Sequence, residues 1–272
     1  MAQVESIGPG GYQRIAERFR RDGFVAPLKI IDAAQAAGHR RRLERAESSF
    51  GPLNYQSKVH TILRSPLELA THPRVLDIVG ALIGPNILLW TSTYIIKEPD
   101  TPAHVSWHQD LTYWGLSGED QVSMWLALSP ANRANGCMRL VPGSHRGGRH
   151  DHRITESESN LLFQGQTVDG VEESRAVYCN LEPGEASFHH GWTLHSSLPN
   201  RSDERRIGLN AQYVATHIRQ TKHDRDTAML VRGVDNFGDF GEDIPAKGDL
   251  EPEALERQRE LDRLYRETIG NE

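Results

Sequence analysis

The chain has 272 residues, 37% hydrophobic and 25% charged, with a formal net charge of −6. That length suits one sizeable core, so a single domain over residues 1–272 is expected. The acidic balance and scattered Lys and Arg argue against a nucleic-acid partner, no apolar run is long enough to span a bilayer, and two cysteines, Cys137 and Cys179, cannot build a disulfide framework.

The first predicted elements are helical. Tyr12, Ile15, Ala16 and Phe19 make a helical stripe, and Asp32 is placed to cap a second helix running to about Glu47. Arg40, Arg41 and Arg42 in that second segment read as a solvated helix face. Pro73 opens a third helix, carrying Val75, Leu76, Val79, Leu82 and Ile83 and stopped by Gly84-Pro85. The helical part therefore covers about residues 11–84.

Strands follow at residues 87–97, 104–111, 121–128, 138–141, 186–190 and 206–214, with turn residues between them. Residues 146–177 are long and mostly polar, and are expected to form a lid or specificity loop. A surface excursion is the other reading of that stretch. Residues 251–269 close the chain as an amphipathic helix with Leu255, Leu261, Leu264 and Tyr265 on one side. Helices first, then many short strands, predict a mainly β fold: a jelly-roll core over about residues 86–215 with flanking helices.

The chemistry gathers on the predicted 104–111 strand. Residues i and i+2 of a strand share a face, so His108 and Asp110 project together. A second imidazole is available at His195. Two His and one carboxylate leave positions open on a metal, which suits non-haem Fe(II). His104 shares that face in a regular strand, and His189 and His190 precede His195, so each competes as a ligand. A buried polar network without metal is the alternative for the whole set. Arg206 opens an alternating run in which Ile207, Leu209, Ala211 and Tyr213 form the apolar side. Arg206, Gly208, Asn210 and Gln212 then face a polar cavity, and Arg206 offers a planar charged fork suited to a carboxylate.

These stretches resemble the phytanoyl-CoA dioxygenase family of Fe(II)/2-oxoglutarate oxygenases. The likeness is carried by Gly84-Pro85-Asn86, Trp107-His108-Gln109-Asp110-Leu111, Tyr113-Trp114, Asn135-Gly136-Cys137, Val141-Pro142-Gly143-Ser144-His145, Leu194-His195-Ser196-Ser197, Pro199-Asn200-Arg201-Ser202 and Arg206. The resemblance spans roughly residues 11–215 and implies a double-stranded β-helix. It implies iron on His108, Asp110 and His195, and the distal carboxylate of 2-oxoglutarate on Arg206. It places Trp125 in the cosubstrate pocket and Lys58 near a family lysine that contacts the cosubstrate. Ser196 stands where the family usually has Gly, a departure that disturbs no ligand.

The expected activity is hydroxylation of a small metabolite or natural-product intermediate with O₂, releasing succinate and CO₂. Desaturation, cyclisation or epimerisation by the same oxidant is the alternative, and a non-redox metal- or ligand-binding jelly roll is a third reading. His60, His104 and Trp114 are candidate substrate contacts, although Trp107 and Trp114 also suit a core. The Arg residues of the 146–177 stretch are placed to greet an anionic substrate. A small-molecule substrate, no nucleic-acid or membrane partner, a monomer or homodimer and a cytoplasmic location complete the expectation.

Overall fold

The computed structural model describes residues 7–8, 10–155, 157, 159–162 and 165–270. Helix α1 (Gly11–Asp22) buries Ile15 and Phe19, as its stripe requires. Strand β1 (Phe24–Lys29) follows. Asp32 then caps α2 (Ala33–Phe50): its side chain accepts from the Gln35 N–H, while its own N–H donates to the Gln35 side chain. Two otherwise orphaned donors are satisfied by that exchange. Helices α3 (Arg64–Ala70) and α4 (Pro73–Ile83) complete the helical layer, and α4 starts at a proline and stops at Gly84.

The strands are β2 (Ile87–Lys97), β3 (Val105–His108), β4 (Gln121–Ala127), β5 (Met138–Leu140), β6 (Val177–Tyr178), β7 (Glu185–His189), β8 (His195–Ser197), β9 (Arg206–Ala215), β10 (Thr227–Arg232) and β11 (Gly241–Glu242). A single helical turn, α5 (Leu111–Trp114), follows β3, and α6 (Pro252–Gly270) ends the described chain. Seven strands pair in the order β1-β7-β4-β9-β2-β10-β11, and four in the order β3-β8-β5-β6. The pairing is antiparallel apart from the two-residue β10–β11 contact. This is the jelly roll expected from the pattern of elements. Among the described residues, no helix is long and apolar enough to cross a membrane.

The main core lies between the helices and the outer face of the larger sheet. Ile15, Phe19, Leu43, Leu69 and Val79 meet Val122, Met124 and Leu126 of β4 and Ile207, Leu209, Ala211 and Tyr213 of β9 there. Alternation then turns Ser123 and Trp125, and Arg206, Asn210 and Gln212, towards the smaller sheet. The apolar half of each strand therefore fixes where its polar half points.

The sheet is wider than the sequence pattern indicated. β1 belongs to the stretch assigned to helices, yet it pairs with β7 at the sheet edge. β10 lies beyond residue 215 and pairs with β2. Both are short and irregular at the bulges that interrupt their pairing, so neither presents a clean alternation.

Lys58 and His60 sit in this framework, not in a substrate site. Lys58 Nζ donates to the Trp90 and Thr227 carbonyls and, at 2.9 Å, to Asp243 Oδ2; His60 Nδ1 lies 2.9 Å from Ser92 Oγ. The Lys58 and Asp243 side chains are 1% and 0% exposed. Asp243→Ala is expected to cost about 3–5 kcal/mol, because Lys58 is left buried without its counter-charge. The Lys58→Met, Asp243→Leu double variant should recover most of that loss in a denaturant titration. Burial opposes the charge on Asp243, but Lys58 and His60 outweigh it and hold its pKa below the carboxylate range. A depressed carboxyl stabilises above its unfolded pKa of about 4, and that contribution fades as pH falls towards the folded value. The double variant should lose this part of the acid sensitivity.

Candidate active site

His108 ends β3 and His195 begins β8, and the two are cross-strand partners. Strand pairing alone therefore sets their imidazoles side by side, with ring centroids 4.0 Å apart. Asp110 arrives differently from the strand-face expectation. β3 stops at His108, and Asp110 stands in the right-handed helical conformation at the head of α5. That turn brings its Oδ1 to 3.5 Å from His108 Nε2 and 3.7 Å from His195 Nε2. Ligand atoms from all three residues lie within 4.8 Å of one another.

Each imidazole is aimed by nearby backbone. His108 Nδ1 lies 3.0 Å from the Ser106 carbonyl, and His195 Nδ1 lies 2.9 Å from the Thr193 carbonyl. A carbonyl only accepts, so Nδ1 carries the proton and Nε2 presents its lone pair inward. Burial, reinforced by His108, holds His195 well below the usual imidazole range. Burial also works against charge on Asp110, but the surrounding imidazoles, His195 first and then His108 and His189, outweigh it and hold the carboxyl well below its usual range. A neutral imidazole and an ionised carboxylate are the forms a metal takes up.

Sequence reasoning missed how Asp110 is held. Ser123 Oγ donates to its Oδ2 at 3.2 Å, and His189 Nε2 lies 3.3 Å from the same oxygen. Ser123 and His189 are partners across β4 and β7. His189, weighed from sequence as a ligand, thus braces the carboxylate. Strand alternation was the available signal, since it puts both residues on the inner face.

Arg206 is 2% exposed, and its guanidinium lies 5.2 Å from the centre of the Trp125 ring. It donates to the Gly136 carbonyl, while its Nε is buried with no hydrogen-bond partner. Burial lowers its pKa to about 10, so it remains a cation at neutral pH. Gly208 makes the Trp125 position possible, because a Cβ there would stand 2.1 Å from the ring. The neighbouring Arg205 points outward to Glu47 and Glu98. The Tyr55 hydroxyl, also buried without a partner, lines the same cavity. Only tertiary packing brings Tyr55 there, and no motif marks it.

The cavity between the sheets measures about 300 Å³ and includes His108, Asp110, His195, Trp125, Arg206 and Trp114 in its wall. Trp114 also packs edge-on against Trp90 at 5.3 Å, so it serves core and cavity together. Lys58, His60 and His104 are absent from that wall. For Lys58 and His60 the reason is the buried Asp243 cluster. For His104 it is register: Val105 pairs with Ser197 and His108 with His195, three steps on β3 against two on β8. The extra residue breaks the alternation, and His104 lies instead by Ser159 at 3.3 Å. Residues 146–177 are more structured than a free loop, with a 3₁₀ turn at Glu173–Arg175 and an Arg153–Thr167 bridge. Leu161, Leu162 and Gln166 from that stretch line the cavity; residues 156, 158, 163 and 164 lie outside the described set.

The family model described as phytanoyl-CoA dioxygenase (PhyH) matches residues 12–208. The chain belongs to that family. Among relatives, it is 28% identical over 200 residues to a probable alpha-ketoglutarate-dependent hypophosphite dioxygenase of Stutzerimonas stutzeri, covering 73% of this chain and 63% of that protein. It is 32% identical over 152 residues to the peroxisomal phytanoyl-CoA dioxygenase of Homo sapiens, covering 53% of this chain and 44% of that protein. The matches thus span under two thirds of either relative. Among solved structures, the apo form of the non-heme monooxygenase ThoJ superposes with a TM-score of 0.80 at 30% identity, covering 92% of this chain and 98% of that one. CytC3 with Fe(II) and alpha-ketoglutarate shares the fold, with a TM-score of 0.63 at 24% identity and coverage of 86% and 96%.

Proposed function

We propose that this family member is an Fe(II)- and 2-oxoglutarate-dependent dioxygenase that hydroxylates an unactivated C–H bond of a small molecule. The observation that carries the reading is the buried Arg206 guanidinium, whose Nε has no partner, on the same cavity as the His108, Asp110 and His195 ligand set. A buried cation without a counter-charge is costly unless an anion joins it. A diacid meets that need at one end and a metal at the other.

The donor set fits Fe(II): two neutral imidazoles and one carboxylate leave open positions. His108, Asp110 and His195 would hold the metal, and Arg206, with Trp125 beneath it, would hold the far carboxylate of 2-oxoglutarate. Bound Fe(II) and 2-oxoglutarate would supply oxidation of a C–H bond by O₂, with succinate and CO₂ released. Ser123 and His189 keep Asp110 in one orientation. Trp114, Leu161 and Leu162 shield the reacting region from water.

About 300 Å³ is at the small end of ligand sites and is shared with the cosubstrate. That volume supports a compact substrate, not one enclosed as a long acyl chain. Anaerobic addition of Fe(II) and then 2-oxoglutarate should produce a weak visible charge-transfer band, and air should then convert 2-oxoglutarate to succinate. Absence of both in folded protein would refute the oxygenase reading. Product mass identifies the outcome: one added oxygen for hydroxylation, two hydrogens lost for desaturation or cyclisation, no change for epimerisation.

A further inference from the structure

The turn that joins His108 to Asp110 is gripped by the long polar stretch that follows β5. β3 ends at His108 and lies at the edge of its sheet, so no strand on that side receives the Gln109 N–H. Gln109 is 0% exposed, so that donor cannot turn to water and needs a partner inside the protein. His152 Nε2 accepts from it at 3.1 Å. His152 Nδ1 lies 2.9 Å from the His150 carbonyl, which only accepts, so Nδ1 carries the proton and Nε2 presents its lone pair to Gln109. The ring also stands edge-on to Tyr113 of α5, with centroids 5.2 Å apart. These contacts hold the imidazole in one orientation.

The Gln109 side chain grips the same stretch a second time. Its Oε1 accepts from the His150 N–H at 2.7 Å, and its Nε2 donates to the Gly148 carbonyl at 2.8 Å and to the Trp192 carbonyl at 2.8 Å. Two carbonyls and one N–H allow a single setting of the amide. The Trp192 carbonyl is followed directly by Thr193, whose own carbonyl aims the His195 ring. One buried amide thus ties the turn that carries His108 and Asp110 to the segment that carries His195, with residues 148–152 as the anchor. Neither Gln109 nor His152 lines the cavity, so any influence they have on a bound metal passes through the ligand residues.

We propose that His152 and Gln109 are positioning residues, through which the 148–152 segment sets the backbone of the His108–Asp110 turn and so the placing of the metal ligands. The proposal rests on the metal-site reading above. Outer partners that orient ligand groups tune metal affinity without touching the metal. In this role His152 must supply an acceptor at Nε2, and Gln109 must supply both a donor and an acceptor. The first histidines of the polar stretch then act as a brace for the metal turn, not as a metal site of their own.

The test measures Fe(II) affinity by anaerobic competition with a chelator, and the visible ligand-field bands of the Co(II)-loaded protein, which report how the ligands are arranged. His152→Leu and Gln109→Met should each lower Fe(II) affinity by roughly 10–100-fold, the range for outer partners of a metal site, and should shift the Co(II) bands. His152→Gln, whose side-chain oxygen reaches about as far as the imidazole Nε2, should return the wild-type spectrum and most of the affinity. Wild-type affinity and spectrum in folded His152→Leu would overturn the proposal, even with a lowered melting temperature, because the contact would then serve stability alone. His152→Gln as impaired as His152→Leu would overturn it too, since the acceptor would not be what matters. If Gln109→Met fails to fold, the two His152 variants, at a partly exposed position, decide by themselves. A wild type that takes up neither Fe(II) nor Co(II) would instead remove the metal-site reading, and this proposal with it.

Discussion

Arg206→Met should weaken 2-oxoglutarate binding by about 30-fold to a few thousandfold, the range for losing one partner of a buried charge pair, about 2–5 kcal/mol. Metal binding should persist, because His108, Asp110 and His195 stand on other elements. Arg205→Ala is the matched control. Arg205 pairs with Glu47 at 2.9 Å and Glu98 at 2.8 Å on the outer side, so its loss should change cosubstrate affinity by no more than about twofold. Titration calorimetry with 2-oxoglutarate measures both. Equal effects at the two positions would place the cosubstrate elsewhere.

The same variant has a pH signature. Lys97 stands directly across from Arg206, and its pKa is pushed down to about 6 by burial and then by Arg206. Arg139 lowers it as well. Removing Arg206 removes the larger of the two charge effects, so the Lys97 pKa should rise. Lys97 Nζ donates to Ser197 Oγ at 2.8 Å and is not among the residues of the cavity wall. An NMR titration of its ammonium should therefore give a higher midpoint in Arg206→Met than in the wild type; an unchanged midpoint would show that Arg206 does not act on it.

Asp110→Ala should lower Fe(II) affinity by more than the roughly 10–100-fold typical of changes to residues that merely support a ligand. It removes one of three ligand groups and strands the Ser123 and His189 contacts. Substrate oxidation should be largely lost. Asp110→Glu should retain metal but displace the ligand by about one methylene, and errors near 1 Å can cost on the order of 10²-fold in rate. Succinate formation should then run ahead of product. With Asp110 in place, no protein-facing position is vacated for a halide. Wild-type products formed in chloride and bromide buffers should be free of halogen by mass spectrometry. A chlorinated product would remove Asp110 from the ligand set.

The outward and inward faces of β9 were legible because a period of two is a local property: Ile207, Leu209, Ala211 and Tyr213 had to share a face. The same reasoning set Arg205 and Arg206 on opposite sides, as found. His108, Asp110 and His195 were recognisable as a constellation from residue types, spacing and order. The capping box at Asp32 and the proline start of α4 were equally local. Each of these depends on contacts between near neighbours in the chain.

What the chain alone left open depends on contacts between distant segments. The bulge in β3 exists only against β8, so nothing local shows that His104 leaves the inner face. Lys58 looked like a cosubstrate contact until Asp243, 185 residues away, claimed its charge. His189 changed from possible ligand to brace because β7 lies beside β4 and faces Asp110. Tyr55 and the α6 residues Tyr265 and Ile269 reach the cavity through packing that no periodicity encodes. The sequence by itself determined the fold class, the candidate ligand set and the inner face of β9. The tertiary structure decided which charges are already neutralised inside the protein and which, like Arg206, stand without a carboxylate partner among the described residues, because counter-charge and burial come from segments far apart in the chain.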